Sequence, residues 1–184
     1  LNMQTDDETV SGARSTNFTV LRVKRDLLRR SSVGMIYTGR SVSLVGDGAS
    51  HAYGMDANFA FFENVNFNGY FAKTHTPDST GKDTSYQARF NYAADRWGVE
   101  VDHLLVEDNF VPEVGFVRRR DDRRRTFVSG RFSPRLVSSP TVRRFVWEAS
   151  VEYIENTAGQ LETRQQSLRF STEFQNFDRI NVDA

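Results

Sequence analysis

The stretch YGMDANFAFF, residues 53–62, alternates apolar and polar side chains with a period of two. In an extended chain Tyr53, Met55 and Phe59 fall on one side, whereas Asp56 and Asn58 fall on the other. Successive side chains of a β-strand point to opposite faces of the sheet. The pattern therefore predicts a strand with one apolar and one polar face.

The same alternation recurs along the chain. Further strands are predicted at residues 65–74, 86–93, 97–103, 145–153 and 168–175, with weaker ones at 17–24, 33–39 and 126–133 and short pieces at 1–5 and 177–184. All four prolines lie between these segments, as expected because proline cannot donate to a strand ladder. The sequence thus predicts an all-β fold, an antiparallel up-and-down meander of about nine to eleven strands.

The lengths of the connections predict the environment of such a sheet. Short ones such as ENVN and AADR alternate with long ones such as THTPDSTGKDTS, an alternation typical of outer-membrane β-barrels. Aromatic residues lie near the strand ends, where the membrane interface would be. The apolar face is mostly aromatic, Ala and Val. We therefore expect a segment of an outer-membrane-type barrel, with a soluble β-sandwich or jelly roll as the alternative.

Composition narrows the function classes. The 24 basic residues balance 24 acidic ones, so no global field attracts nucleic acid, and none is expected as a partner. The chain has no cysteine, and His51, His75 and His103 lack the spacing of metal ligands. No phosphate-binding loop or dinucleotide fingerprint occurs. Neither a metal nor a cofactor is expected.

The polar face is the first candidate site. In lipid a spanning sheet must close on itself, because every backbone group needs a partner within the sheet. Side chains of the polar face would then line a lumen. The expected lumen-lining residues are Asn58, Asn66, Asn68, Arg89, Glu100, Asp102, Glu148, Glu152, Arg169 and Glu173.

The second candidate site is the charged run in GFVRRRDDRRRTF, residues 115–127. It follows a long connection and would lie at the outer mouth of the barrel. Arginine forks bind phosphates and sugar acids bidentately, whereas the alternative is an ion-pair network that pins the loop. The candidate binding residues are Glu113, Arg118, Arg119, Arg120, Asp121, Asp122, Arg123 and Arg124.

Catalytic residues stay unknown. Glu148 and Glu152 share one face of a strand, but the rise per residue puts them about 13 Å apart. Retaining glycosidases need carboxyl groups about 5 Å apart. Enzyme activity is therefore left open, with glycoside hydrolysis as the reaction if there is one.

Several blocks resemble a known family. Residues 15–34, 54–74, 91–119 and 131–135 are similar to the barrel region of the bacterial domain-of-unknown-function family 5916, and DNFVPEVGFVRR is the most specific block. The resemblance implies a C-terminal outer-membrane barrel that usually follows a carbohydrate-binding-module-family-9-like domain. We expect residues 1–184 not to include that domain. Residues 1–184 are therefore expected to be one barrel segment of a longer protein.

The function expected from these observations is a barrel segment in the bacterial outer membrane, acting as scaffold, channel or anchor and linked to carbohydrate recognition. The expected partners are the lipid bilayer or lipopolysaccharide, with a carbohydrate partner left open. A glycan-degrading hydrolase and a soluble sugar-binding β-sandwich are the alternatives.

Overall fold

One antiparallel sheet contains every strand of the described residues. The structure, a computed structural model, describes residues 1–10, 12–115 and 123–184. In these residues it has eleven strands and no helix, and the strands follow one another across the sheet in chain order. The prediction of an all-β meander of nine to eleven strands is confirmed. The strands are β1 (Asn2–Gln4), β2 (Asn17–Leu27), β3 (Ser31–Arg40), β4 (Ser50–Phe61), β5 (Val65–His75), β6 (Thr84–Ala93), β7 (Trp97–Val106), β8 (Arg123–Phe132), β9 (Val142–Glu155), β10 (Leu161–Phe174) and β11 (Arg179–Asp183).

Most strands are longer than their sequence pattern predicts. The largest difference is in β10, which begins at Leu161 instead of residue 168. Its first half pairs with β9, from Leu161 opposite Glu155 to Ser167 opposite Ser150. Backbone pairing with β9 therefore makes a strand of a segment that lacks alternation. Among the described residues no helix has the length and apolarity needed to cross a membrane.

The chain divides into two compact units. Unit 1 comprises Leu1–Phe59, Asn68–Gln87 and Leu104–Arg123, and unit 2 comprises Ala60–Phe67, Ala88–His103 and Arg124–Ala184. The grouping of residues 1–184 into one barrel segment stays a prediction.

In unit 1 the apolar face is built from rows of side chains that cross β2, β3 and β4. Val23 lies opposite Met35, which lies opposite Met55. These three side chains are 54–63% exposed. The neighbouring row, Leu21–Tyr37–Tyr53, has the same register. The side chains of these apolar rows are thus largely exposed.

In unit 2 an aromatic row crosses β8, β9 and β10. Phe132 lies opposite Trp147, and Trp147 lies opposite Phe170. The ring centroids of Phe132 and Trp147 are 5.7 Å apart, and those of Trp147 and Phe170 are 5.4 Å apart. Trp97 of β7 extends the row, with its ring 4.3 Å from Phe132. Even so, Trp97 is 51% exposed and Trp147 is 42% exposed.

Most buried side chains of the described residues are polar. Among the described residues only three large hydrophobic side chains are buried, Leu105, Val106 and Phe110. The fully buried side chains are polar: Thr74, Ser85, Asp102 and Ser133. In soluble domains Ile, Val, Leu and Phe fill the interior, and charged residues rarely do. The polar face is therefore the better-packed face of this sheet.

Candidate functional site

The polar face of unit 2 holds an ion-pair network centred on Asp102. Its carboxylate is 0% exposed. The Arg89 Nη2 group donates to Asp102 Oδ2 at 2.9 Å, and the Arg125 Nη1 group donates to the same oxygen at 3.0 Å. A buried carboxylate requires such partners, because an uncompensated charge is costly away from water. Alternation along β6, β7 and β8 places all three side chains on one face.

Each arginine of this network reaches a second carboxylate. The Nε atom of Arg89 lies 3.5 Å from Glu100 Oε1, and Arg125 Nε donates to Glu152 Oε1. Three acids and two arginines thus form one chain of contacts. Four of its members, Arg89, Glu100, Asp102 and Glu152, were predicted to line a lumen, and the structure brings them together on the polar face.

A second row of charges crosses β8 to β11. Arg131, Glu148, Arg169 and Asp183 occupy successive register positions, so the sign of the charge alternates from strand to strand. The Arg169 guanidinium lies 3.7 Å from Glu148 Oε2 and 2.5 Å from Asp183 Oδ1. These residues line a polar cavity of about 500 Å³ together with Glu100 and serines of β8, β9 and β10. Ion pairs in such a row connect neighbouring strands, and the row exposes both positive and negative charges to a solute.

Glu173 ends the polar face of β10 with three cations around it. The Arg144 Nε atom donates to Glu173 Oε2 at 2.8 Å, and Arg179 Nη2 donates to the same oxygen at 3.2 Å. Arg143 Nη1 lies 3.5 Å from the other oxygen. The residue is 8% exposed. Glu173 is therefore surrounded by arginines of β9 and β11.

A close ion pair lies on the polar face of unit 1. The Arg22 Nη1 atom lies 2.5 Å from Asp56 Oδ1. The pair crosses β3 above Gly34, where an added Cβ atom would lie 2.6 Å from Arg22 Nη2 and 2.9 Å from Asp56 Oδ1. Glycine at this position leaves the room for the ion pair.

The three asparagines of the predicted lumen lie outside these networks. Asn58 is exposed, and Asn66 and Asn68 are half-buried. Asn68 belongs to unit 1, whereas Asn66 belongs to unit 2. They extend the polar face of β4 and β5 without adding charge to it.

Glu113 connects two loops of unit 1. Its side chain is 1% exposed. The carboxylate accepts hydrogen bonds from Ser43 Oγ at 2.5 Å and from the Leu44 backbone N–H at 2.9–3.0 Å. Arg40 Nε lies 3.7 Å from it. These contacts match the loop-pinning alternative for this residue, since little of its carboxylate is left for a ligand.

The rest of the predicted arginine cluster divides into described and undescribed residues. Arg124 Nη1 lies 2.7 Å from Glu155 Oε1. By alternation Arg124 lies on the same face of β8 as Val128, which is the apolar face. Arg123 begins β8, and its Nε atom is buried without a hydrogen-bond partner among the described residues. The residues outside the described part of the chain are Arg118, Arg119, Arg120, Asp121 and Asp122.

Two of the histidines have hydrogen-bond partners. The ring Nδ1 atom of His51 lies 3.0 Å from the Tyr37 hydroxyl, and that of His103 lies 2.9 Å from Thr126 Oγ1. Within residues 1–10, 12–115 and 123–184, no group of three or more His, Asp or Glu side chains could hold a metal ion.

Sequence reasoning found Arg89 and Arg169 but missed other arginines of these networks. Arg125, Arg144 and Arg179 were not among the predicted lumen residues, although each contacts a predicted carboxylate. Parity within the strands was a usable signal, because Arg144 has the same parity in β9 as Glu148 and Glu152. Extending the predicted strands 126–133 and 145–153 by two residues would have included Arg125 and Arg144, whereas Arg179 already lay in the predicted piece 177–184.

Comparison with known proteins adds no relative from which a function could be transferred. The resemblance to family 5916 stays a prediction. The function is therefore argued from the polar networks and the exposed apolar face. No protein-family model, no curated protein and no solved structure matches the chain.

Proposed function

We propose that this chain is a segment of a bacterial outer-membrane β-barrel that serves as a scaffold or anchor. One observation carries the proposal: along β5, β7 and β9 the exposed positions belong to the apolar face, whereas the polar-face positions are half-buried or buried. Along β7, Trp97, Val99 and Val101 are exposed, whereas Asp102 is completely buried. Soluble monomers rarely expose contiguous apolar patches beyond a few hundred Å². In a membrane the exposed apolar side chains would contact lipid hydrocarbon, whereas in a soluble monomer they would contact water.

Strand length fits the same environment. Transmembrane strands need about 9–11 residues at the usual tilt. Strands β2 to β10 are 10–14 residues long. Strands of soluble proteins are most often about 5–6 residues long. The length therefore favours a membrane-spanning sheet over the β-sandwich alternative.

The aromatic row supports a membrane–water boundary at one end of β7 and β8. Trp97 begins β7 and Phe132 ends β8, so their contact lies beside the short connection 94–96 and the longer connection 133–141. Arg96 in the turn before β7 places its guanidinium 5.2 Å from the Phe132 ring centroid. Tryptophan and phenylalanine with adjacent cations are typical of the membrane–water interface.

The polar face favours a scaffold over an open channel. In unit 2 the carboxylates of Asp102 and Glu173 form ion pairs with arginines of neighbouring strands. Ion pairs between strands hold their register and leave fewer free charges for a permeating solute. By its resemblance to family 5916, the scaffold would anchor a carbohydrate-recognising domain, and lipopolysaccharide is its expected neighbour in the outer leaflet.

Short-range quenching by brominated lipids tests the proposal. The chain has two tryptophans, Trp97 and Trp147, and both lie on the apolar face. Each is retained alone in Trp97→Phe and Trp147→Phe variants that are refolded into phosphatidylcholine vesicles. We expect bromine on the acyl chains to quench both strongly and aqueous acrylamide to quench them weakly. We also expect the folded protein to migrate heat-modifiably on gels.

A matched control places the reporter on the polar face. Phe127 lies on that face, with the Arg125 guanidinium 5.4 Å from its ring centroid. Phe127→Trp in a chain without the two native tryptophans should escape quenching by bromine. A protein that stays monodisperse in plain buffer, with tryptophans open to acrylamide, would contradict the membrane location and favour the soluble module.

A further inference from the structure

One end of unit 2 has more positive charge than its carboxylates neutralise. Arg143, Arg144 and Arg179 lie within 2.8–3.5 Å of the carboxylate of Glu173. Among the described residues, Glu173 is the ion-pair partner of all three. Three guanidinium groups around one carboxylate leave a local excess of two positive charges.

The surrounding residues do not remove this excess. Asp178, next to Arg179 in the chain, accepts a hydrogen bond of 2.6 Å from Asn176 Nδ2. Arg135, which forms a backbone bridge with Arg144, is paired with Asp95 at 2.6 Å. Asn176 is neutral, so Asp178 keeps its charge, but among the described residues neither Asp178 nor Asp95 forms an ion pair with Arg143, Arg144 or Arg179.

The three guanidinium groups keep surface for a ligand. The side chains of Arg143, Arg144 and Arg179 are 39%, 30% and 53% exposed. A guanidinium carries five N–H donors in a planar fork. Glu173 uses only part of this capacity, so several donors of the cluster face solvent.

The backbone holds the cluster in place. Gln175 donates its backbone N–H to Thr141 O at 2.9 Å and its side-chain amide to Ser139 O at 3.1 Å. These bonds tie the β10–β11 turn to the segment before β9. In the turn, Phe177 adopts a φ of 71°, which places its ring 5.0 Å from the Arg143 guanidinium. Arg143 is thus oriented by the ring on one side and by Glu173 on the other.

We propose that Arg143, Arg144 and Arg179 form a binding site for a phosphate group. Arginine forks bind phosphate oxygens bidentately, and such charge-assisted bonds are stronger than neutral ones. Glu173 orients the three forks and limits their mutual repulsion. The phosphate group neutralises the remaining charge, whether it belongs to a phospholipid headgroup or to a free solute. The site stands on its own contacts and does not depend on a membrane location.

Phosphorus-31 NMR titration of the full-length chain in maltoside micelles tests the site, since this detergent contains no phosphate. The two probes are inorganic phosphate and dihexanoyl-phosphatidylglycerol below its micelle concentration, with chloride held constant. We expect saturable line broadening. Saturation by the lipid alone identifies a headgroup, and saturation by both identifies the phosphate group itself. Each result supports the site, whereas no saturation by either probe overturns it.

Variants locate the binding. The double variant Arg143→Gln/Arg179→Gln keeps Arg144 as the partner of Glu173 and should raise Kd at least tenfold. Arg135→Gln, at the same end of the sheet but paired with Asp95, is the matched control and should leave Kd unchanged. An equal Kd for the double variant and the wild type overturns the site. If the glutamine variant does not fold, Arg143→Lys/Arg179→Lys decides: a rise of at least threefold is expected from the lost forks, and an unchanged Kd overturns the proposal.

Discussion

The Asp102 carboxylate is completely buried, and its Oδ2 atom accepts a 3.0 Å hydrogen bond from Arg125 Nη1. Arg89 donates to the same oxygen from the other side. This single acid therefore compensates two arginines that belong to different strands. A buried ion pair contributes little net stability compared with an apolar pair, but removing one partner leaves an uncompensated charge.

Asp102→Ala should be among the most destabilising substitutions in the chain. It leaves Arg89 and Arg125 without their shared acceptor, and breaking a buried pair costs about 3–5 kcal/mol. The free energy of unfolding is measured by urea titration in maltoside micelles, with tryptophan fluorescence as the signal. Asp95→Ala is the control, because its 61% exposed carboxylate pairs with an exposed arginine and should contribute under about 1 kcal/mol. Equal losses of unfolding free energy for the two variants would contradict the role of Asp102 as the shared partner of Arg89 and Arg125.

Gly34 is predicted to preserve the ion pair between Arg22 and Asp56. Glycine weakens a strand by about 0.5–1 kcal/mol relative to alanine, so Gly→Ala at a roomy position should stabilise the protein. Gly130 is such a position, since an added Cβ meets nothing within 4 Å. At Gly34 the added Cβ displaces the ion pair, so Gly34→Ala should lack that gain.

A double-mutant cycle separates the two effects. In an Arg22→Gln background the pair is already lost, and Gly34→Ala should then stabilise about as much as Gly130→Ala does. The measurement is the unfolding free energy of the four combinations of the two substitutions. An unchanged effect of Gly34→Ala in both backgrounds would show that the ion pair does not depend on the missing side chain.

The strands could be predicted because each carries its own signal. In β4 and β9 the period of two is complete, so the positions of Met55 and Trp147 on the apolar face follow from the sequence. The start of β10 could not be predicted in this way. Residues 162–167 are polar on both faces, and their extended form comes from pairing with β9, which a single segment does not reveal.

The contacts of the candidate site were less predictable than its face. Alternation assigns Asp102 to the polar face, but its partner Arg125 follows a connection that spans residues 107–122. Register across such a connection depends on the whole sheet. Glu113 shows the same limit, because its contacts with Ser43 and Leu44 join loops that are 69–70 residues apart. Residue type alone suggested a ligand contact there.

Replacing Met55 by arginine tests the assignment of the apolar face to lipid. Met55 is 54% exposed, so in water the longer polar side chain would be tolerated. On the lipid face of a barrel, arginine costs about 2–4 kcal/mol near the bilayer midplane. We expect Met55→Arg to lower the folded fraction in phosphatidylcholine vesicles, measured by heat-modifiable gel migration. Asn58→Arg, an exposed position on the opposite face of β4, is the control and should fold normally. Normal folding of both variants in vesicles would argue against the lipid-facing assignment.

Glu113 should hold the loop between β3 and β4 through the backbone of Leu44. Glu113→Ala leaves the Ser43 hydroxyl and the Leu44 N–H without their acceptor, and losing a hydrogen bond to a charged group costs about 1.5–3 kcal/mol. Most of this loss should be local, so hydrogen exchange at the Leu44 amide should accelerate at least tenfold while the exchange of strand amides in β3 stays slow. Glu63→Ala, in the exposed turn between β4 and β5, is the matched control and should leave Leu44 protected. If Leu44 exchanges at the wild-type rate in Glu113→Ala, the carboxylate does not pin the loop, and its role as a ligand contact regains support.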